Sequence, residues 1–561
     1  VMPGRSSRDP RVPHHDGRRR RPRHGGLPRA SSGRGGSGAP GRTQGRRTQG
    51  FREADPARTI ALEVLTRVRT EGAFANLVLP SLVEEARLSR LDAGFATALT
   101  YGTLRLQGRY DAIVGLCLNQ PTTTLDGVVL DVLRLGAHQL LGMRVPAHAA
   151  VSTSVDLVGG TSGHRASGLV NAVLRRVGRR SVQEWLARLH QDADHDLEAL
   201  AATESHPLWV VKALRQALLT HDRSAEELGD LLSADNQDPE VVLCARPGLV
   251  SVPALVEEVS SGHGQRAQAG RVSPLAVVMG EGDPGRVTAV AQARAGVEDE
   301  GSQLVALLLA QASLEGSDSR WLDMCAGPGG KAALLGSLAA QRGARLVANE
   351  PAAHRAELVR AAARALPPGS IEVRCGDGRD IGSQEPGSYD RVLVDAPCSG
   401  LGSLRRRPES RWRRTQADVT ELAVLQRELL SSALSAVRPG GVVAYVTCSP
   451  HVLETVMVVQ DVLRRLERGD SGNREDEEGR VVEVLHAGHL SAEVARRPPV
   501  GASRPMLQLW PHLDGTDAMF CALLRPVCQP PRPGPVPRLP VRPPDRTQLP
   551  GRRVPLPQEP R

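Results

Sequence analysis

The sequence predicts three folded parts in succession: an all-α bundle, a small α/β unit, and a doubly wound α/β domain. Apolar residues keep helical spacing and show no strand pattern before about residue 238. Strand and helix patterns first mix after Pro239, and from about 297 to 528 short apolar strands alternate with helices. The length of 561 residues agrees, because one hydrophobic core rarely serves so long a chain. Hydrophobic residues at 40% supply such cores, while aromatics at 2% leave the packing to Ala, Val and Leu.

Residues 1–54 hold Gly, Arg, Ser and Pro with almost no aliphatics and are expected to be a disordered basic tail. Order begins at Asp55-Pro56, an N-cap followed by a proline in the first turn. Ala57, Ile60, Ala61, Val64, Leu65 and Val68 follow on one helical face. Further helical patterns run through 91–105, 125–143 and 168–177, which makes 55–180 a helical bundle. Residues 181–237 continue as a helical connector, including HPLWVVKALRQAL at 206–218. In 238–296, EVVLCAR and LAVVM are expected strands around the helix PALVEEV, a small α/β unit. In 297–528 the strands are RWLDM, RLVAN, IEVRC, YDRVLVDA and GVVAYVTC, separated by helices such as 354–366 and 420–437. That alternation predicts a parallel sheet with ligands at its carboxyl ends. Residues 529–561, rich in Pro and Arg, are an expected extended tail.

The net charge of +9 is concentrated at the ends. Thirteen Arg against two Asp in 1–50, and seven Arg against two acids in 529–561, leave 51–528 at −7. Nucleic-acid binding must therefore rest on local patches and not on overall basicity. No apolar run suits a membrane span and no apolar stretch follows the N-terminal arginines, so a cytoplasmic protein without a membrane partner is expected. The eight cysteines form no CxxC pair, which argues against a zinc site and a disulfide framework. Cys117, Cys244, Cys375, Cys521 and Cys528 are expected to be ordinary small apolar residues.

Chemistry gathers at the ends of the strands. The first strand runs into Asp323-Met-Cys-Ala-Gly-Pro-Gly-Gly-Lys331, where glycines admit a ligand to the backbone at a helix N-terminus. The second strand ends at Glu350, suited to ribose hydroxyls, and the third is followed by Asp377, suited to an adenine amine. Together the three loops predict an adenosine-type ligand. Strand four ends Asp395-Ala-Pro-Cys398-Ser-Gly400 and strand five ends Thr447-Cys448-Ser449, so two thiols meet if these strands are neighbours. A thiolate adding to C6 of cytosine converts C5 into a nucleophile, and Asp395 is placed to hold or protonate N3. Chemistry alone does not choose between the two thiols. Arg405, Arg406, Arg407, Arg411, Arg413 and Arg414 surround Trp412 just beyond the second of these loops, a run suited to phosphate contacts with base stacking. Lys331 is one of two lysines in the chain, and a compact ammonium is expected to be required there.

DMCAGPGGK, GDGR, DAPCSGLG, RRRPESRW and YVTCS together resemble the Sun/Fmu-type bacterial RNA cytosine-C5 methyltransferases. VEDEGSQL at 297–304 resembles that family's entry into its catalytic domain. LDAGFATALTYGTLR, LRLGAHQLLGMRVPAHAAV and GLVNAVLRR resemble the NusB-like RNA-binding domain that precedes it in the small-subunit ribosomal RNA enzyme. The resemblance, which covers about 55–528, implies a NusB-like bundle, a ferredoxin- or RRM-like small unit and a Rossmann-like class I methyltransferase domain. It implies S-adenosylmethionine held by Cys325, Ala326, Gly327, Pro328, Gly329, Gly330, Lys331, Glu350, Asp377 and Asp395, with no metal. It assigns the nucleophile to Cys448 and product release to Cys398. The implied partner is ribosomal RNA, free or partly assembled, with no obligate protein partner. The implied reaction is methylation of cytosine C5 in 16S ribosomal RNA; the alternatives are the same chemistry on tRNA, or a non-catalytic RNA-binding scaffold.

Overall fold

In the computed structural model, residues 55–263, 266–280, 282–468 and 481–527 are described. Both expected tails and Cys528 lie outside the described residues. The helix Pro56–Thr70 opens as its sequence predicts: the Asp55 carboxylate accepts the Arg58 N–H at 2.9 Å, and Pro56 occupies the first turn. Its buried face of Ile60, Ala61, Val64 and Leu65 packs with Tyr110, Leu133 and Leu174 from later helices. Inside this core the Tyr110 hydroxyl meets His138 Nδ1 at 2.8 Å, which satisfies two buried polar groups together. No described helix is long and apolar enough to cross a membrane.

The helices Val182–Asp192, Asp196–Thr203, Leu208–Thr220 and Leu228–Ala234 follow the bundle. The last two bury Val210, Leu214, Leu231 and Leu232 against Leu401, Leu404 and Trp510 of the third part. The connector is thereby built into the third part's core and does not act as a spacer.

The small unit contains β1 (Val241–Ala245), β2 (Ala267–Ala269), β3 (Ala276–Met279) and β4 (Ala295–Val297). All pairings are antiparallel, in the order β2-β3-β1-β4. With the helix Val252–His263 between β1 and β2, and a short helical segment before β4, this is a βαββαβ ferredoxin-like arrangement. The three-residue β2 and β4 carry too little alternation to stand out in the sequence.

The third part contains β5 (Arg320–Asp323), β6 (Arg345–Asn349), β7 (Ile371–Arg374), β8 (Tyr389–Asp395), β9 (Val437–Thr447), β10 (Val481–Leu485), β11 (Leu507–Gln508) and β12 (Phe520–Val527). Their order is β10-β12-β9-β8-β5-β6-β7, with β11 on β12. From β9 to β7 neighbours are parallel, as the β-α alternation predicts. The wholly parallel sheet is corrected at the other edge. There β12 runs antiparallel to β9, and β10 antiparallel to β12, so the sheet is mixed. β12 is almost wholly buried because β9 and β10 flank it and it lies within the sheet.

Candidate active site

At the carboxyl end of β5 the chain turns through Met324–Gly329 into the helix Gly330–Gln341. Gly329 has φ +114°, and a Cβ there would lie 2.9 Å from Val359 Cα. A Cβ on Gly327 would lie 2.3 Å from the Glu350 carboxylate, so the loop backbone is pressed onto the end of β6. Glu350 is buried: one oxygen accepts the Gly327 N–H at 3.1 Å, the other accepts Ala352 N–H at 3.1 Å, and Arg355 lies 3.4 Å away. Asp377 caps the helix Gly378–Gln384, accepts Arg379 N–H at 2.9 Å and pairs with the Arg379 guanidinium at 2.6 Å. In this structure both carboxylates therefore brace the loops that carry them. Cys325 and Ala326 line the turn, and Pro328 at its tip is exposed.

Two acids outside the expected set face the same loop. Asp323 at the end of β5 is buried, and Glu298 just before the helix Glu300–Gln311 is half-buried with its Oε1 enclosed; neither Asp323 oxygen nor Glu298 Oε1 makes a hydrogen bond of normal geometry. Burial, then the nearby Asp395 carboxylate, pushes Asp323 up to about 8; burial pushes Glu298 up to about 7. Buried acids without partners suit a ligand that brings positive charge. S-adenosylmethionine carries a sulfonium and an ammonium, so the residues present fit it. Asp323 was legible as the strand-ending acid of the glycine loop; Glu298, distant in sequence, carried no signal beyond its place in VEDEGSQL.

The parallel pairing of β8 with β9 sets Asp395 opposite Val446, so the loops beyond both strands open at one place. There Cys398 Sγ and Cys448 Sγ are 3.3 Å apart. The two thiols are not equivalent. The contact with Cys398 lowers the Cys448 thiol against burial and the Asp395 carboxylate, with help from Lys331. The same contact, then burial and the Glu454 carboxylate, pushes Cys398 up. Lys331 Nζ lies 3.1 Å from Asp395 Oδ2 and donates to Ser302 Oγ at 2.7 Å. Burial disfavours its charge, but Asp395 and Glu298 hold the ammonium above the usual lysine range.

The arginine run is corrected. Arg411 is fully buried and donates to the carbonyls of Arg105, Ser205 and Asp235 and to the Asn236 side chain. Arg405 is buried and pairs with Asp517 at 3.2 Å; Arg406 pairs with Asp299 at 2.8 Å. Arg413 donates to the Ala73 carbonyl and lies over the Phe74 ring. A Cβ on Gly108 would lie 2.5 Å from the Trp412 indole, so this ring packs on the helix Gln107–Cys117. These side chains join the catalytic part to the helical segments, and Arg405 and Arg411 have no surface left for phosphate. Arg407 and part of the Trp412 ring are exposed, and Arg406, Arg413 and Arg414 are half-buried. Proximity to the catalytic loop in sequence does not reveal which way a side chain turns.

A Rossmann-like mixed sheet with a glycine loop, facing acids and a paired-thiol centre defines an S-adenosylmethionine-dependent methyltransferase. The family model "16S rRNA methyltransferase RsmB/F" matches residues 311–525, and the "NusB family" model matches 55–179. "Putative methyltransferase Rv1407" of Mycobacterium tuberculosis is 47% identical over 84% of this chain and 97% of its own length. "Ribosomal RNA small subunit methyltransferase B" of Pseudomonas putida is 31% identical over 80% of this chain and 99% of its own length. The solved structure titled "Crystal Structure of PH0851" shares the fold, with a TM-score of 0.66 at 18% identity over 85% of this chain and all of its own. The chain belongs to the RsmB/F family of S-adenosylmethionine-dependent RNA cytosine-C5 methyltransferases, with an N-terminal NusB domain.

Proposed function

We propose that this enzyme methylates C5 of a cytosine in small-subunit ribosomal RNA, with Cys448 as nucleophile. The observation that carries the proposal is the 3.3 Å meeting of Cys398 and Cys448 beside the Lys331–Asp395 pair. The Cys448 thiolate forms a bond to C6, and the electron pair of the C5–C6 double bond moves toward C5. Asp395, held by Lys331, contacts the N3 edge of the base and steadies the charge that the addition develops. Bound S-adenosylmethionine supplies the methyl electrophile for C5. The glycine loop, Glu350 and Asp377 hold its adenosine, and Asp323 and Glu298 face its positive charges. Cys398 serves the second half of the reaction: as its thiolate it takes the C5 proton, the C5–H electron pair restores the C5–C6 double bond, and the Cys448–C6 bond breaks with its pair returning to sulfur, so Cys448 leaves as thiolate. Arg407 and Arg414 are the members of the arginine run that reach RNA phosphates.

The ribosomal substrate is supported by the name of the Pseudomonas putida relative and by the NusB domain. Radiolabelled methyl transfer into stripped 16S RNA and into bulk tRNA, followed by nucleoside analysis, tests it. Label in 5-methylcytosine from 16S RNA is expected. Label in tRNA alone would move the substrate, and no label in either would leave an RNA-binding scaffold.

A further inference from the structure

Glu454 is fully buried and, among the described residues, has no ion-pair partner. Its carboxylate instead collects donors from both catalytic loops. One oxygen accepts the Ser399 N–H at 2.7 Å and the Gln426 amide at 3.3 Å. The other accepts the Ser399 hydroxyl at 2.5 Å and the Ser449 hydroxyl at 2.7 Å. Ser399 directly follows Cys398, and Ser449 directly follows Cys448. Gln426 also donates to the Pro397 carbonyl at 2.8 Å, on the other side of Cys398. The backbone of Glu454 is fixed in turn, because the Tyr445 hydroxyl donates to its main-chain carbonyl at 2.7 Å. A buried carboxylate without a cation is costly unless its lone pairs are filled, and here neutral donors from the two loops fill them.

We propose that Glu454 is the positioning residue of the two-thiol centre: by bonding Ser399 and Ser449 together it holds the Cys398 and Cys448 loops in the register at which the two sulfurs meet. The proposal rests on the assignment of these thiols to catalysis, but it concerns the geometry of the pair, which exists without substrate. Because each serine is the immediate neighbour of a cysteine, a shift of either loop by an ångström would break the Sγ–Sγ contact. The negative charge of Glu454 also lies on the Cys398 side of the pair, where it opposes ionisation of that thiol. The clamp thus sustains the division of labour in which Cys448 attacks and Cys398 serves release.

The test is iodoacetamide labelling of the full-length protein without RNA or cofactor, with peptide mass spectrometry to count the label on each cysteine. Exposed Cys375 serves as the internal reference. In the native chain Cys448 is expected to react about tenfold or more faster than Cys398. In Glu454→Ala and in Ser449→Ala the ratio falls at least about threefold toward unity, with Cys375 unchanged. Glu454→Gln keeps the length of the side chain and an oxygen for the Ser399 N–H, so it retains more selectivity than Glu454→Ala. In methylation assays the alanine variants lose kcat while the KM for S-adenosylmethionine is kept. A native ratio in both alanine variants overturns the proposal. Loss of selectivity in Glu454→Ala with a native ratio in Ser449→Ala overturns it too, because the clamp acts through both serines. Since labelling needs no methyl transfer, a wrong RNA substrate would fail the radiolabel assay and leave this ratio intact.

Discussion

Arg411 donates to the Asn236 side-chain oxygen at 2.8 Å, and this bond ties the segment after the catalytic loop to the end of the helical connector. The same guanidinium serves the carbonyls of Arg105 and Ser205, so bundle, connector and catalytic part share one buried cation. Asp235, itself buried and pushed up to about 7 by burial, is the nearest acid that opposes the cost.

Arg411→Ala leaves those acceptors dry and Asp235 without its counter-charge. The expected loss is about 3 kcal/mol or more of stability, the usual cost of stranding a buried polar network. Urea unfolding of the variant measures it. A native midpoint would mean that the three parts do not depend on this contact.

Exposed Arg407 and half-buried Arg414 should behave oppositely. Replacing Arg407 and Arg414 with Ala is expected to spare stability, weaken RNA binding, and reduce the salt slope by about 1–2 through lost counterion release. A titration series at several salt concentrations measures this. An unaltered slope would remove the whole run from the RNA interface.

Cofactor binding should depend on pH through Asp323, which burial and Asp395 hold up to about 8. A cationic ligand prefers the ionised carboxylate. Affinity for S-adenosylmethionine should therefore rise from pH 6 to about 8 and then level, by at most about tenfold per pH unit for one proton released. Calorimetry across that range checks it, and Asp323→Asn should lessen the rise, leaving the share that Glu298 contributes around pH 7. A native profile already flat would mean that Asp323 does not face the ligand's charge.

The sequence exposed what depends on local pattern and left hidden what depends on return contacts. The helix after Asp55-Pro56 and the strands β5 to β9 follow from spacing and from apolar runs, which in β5, β6, β8 and β9 are buried on both faces. The neighbouring position of Cys398 and Cys448 also follows, because the usual strand order makes β8 and β9 adjacent. Antiparallel β12 was hidden because an apolar run carries no mark of its direction. The role of Glu454 was hidden because two of its partners, Ser399 and Gln426, lie 55 and 28 residues away. Arg411 misled because a buried arginine and a phosphate-binding one look identical in a basic run. Sequence distinguished the types of residue at the site, and the fold supplied their directions.

The division of roles between the two thiols is the centre of this account, and trapping the protein–RNA adduct tests it most directly. Cys448→Ala and Cys398→Ala are incubated with 16S RNA and S-adenosylmethionine and run on denaturing gels. Cys398→Ala is expected to form a covalent adduct that survives denaturation, because addition and methyl transfer proceed while release is slowed. Cys448→Ala and the double variant should form none, although both still bind cofactor and RNA. An adduct in Cys448→Ala that is missing from Cys398→Ala would reverse the roles and contradict the account.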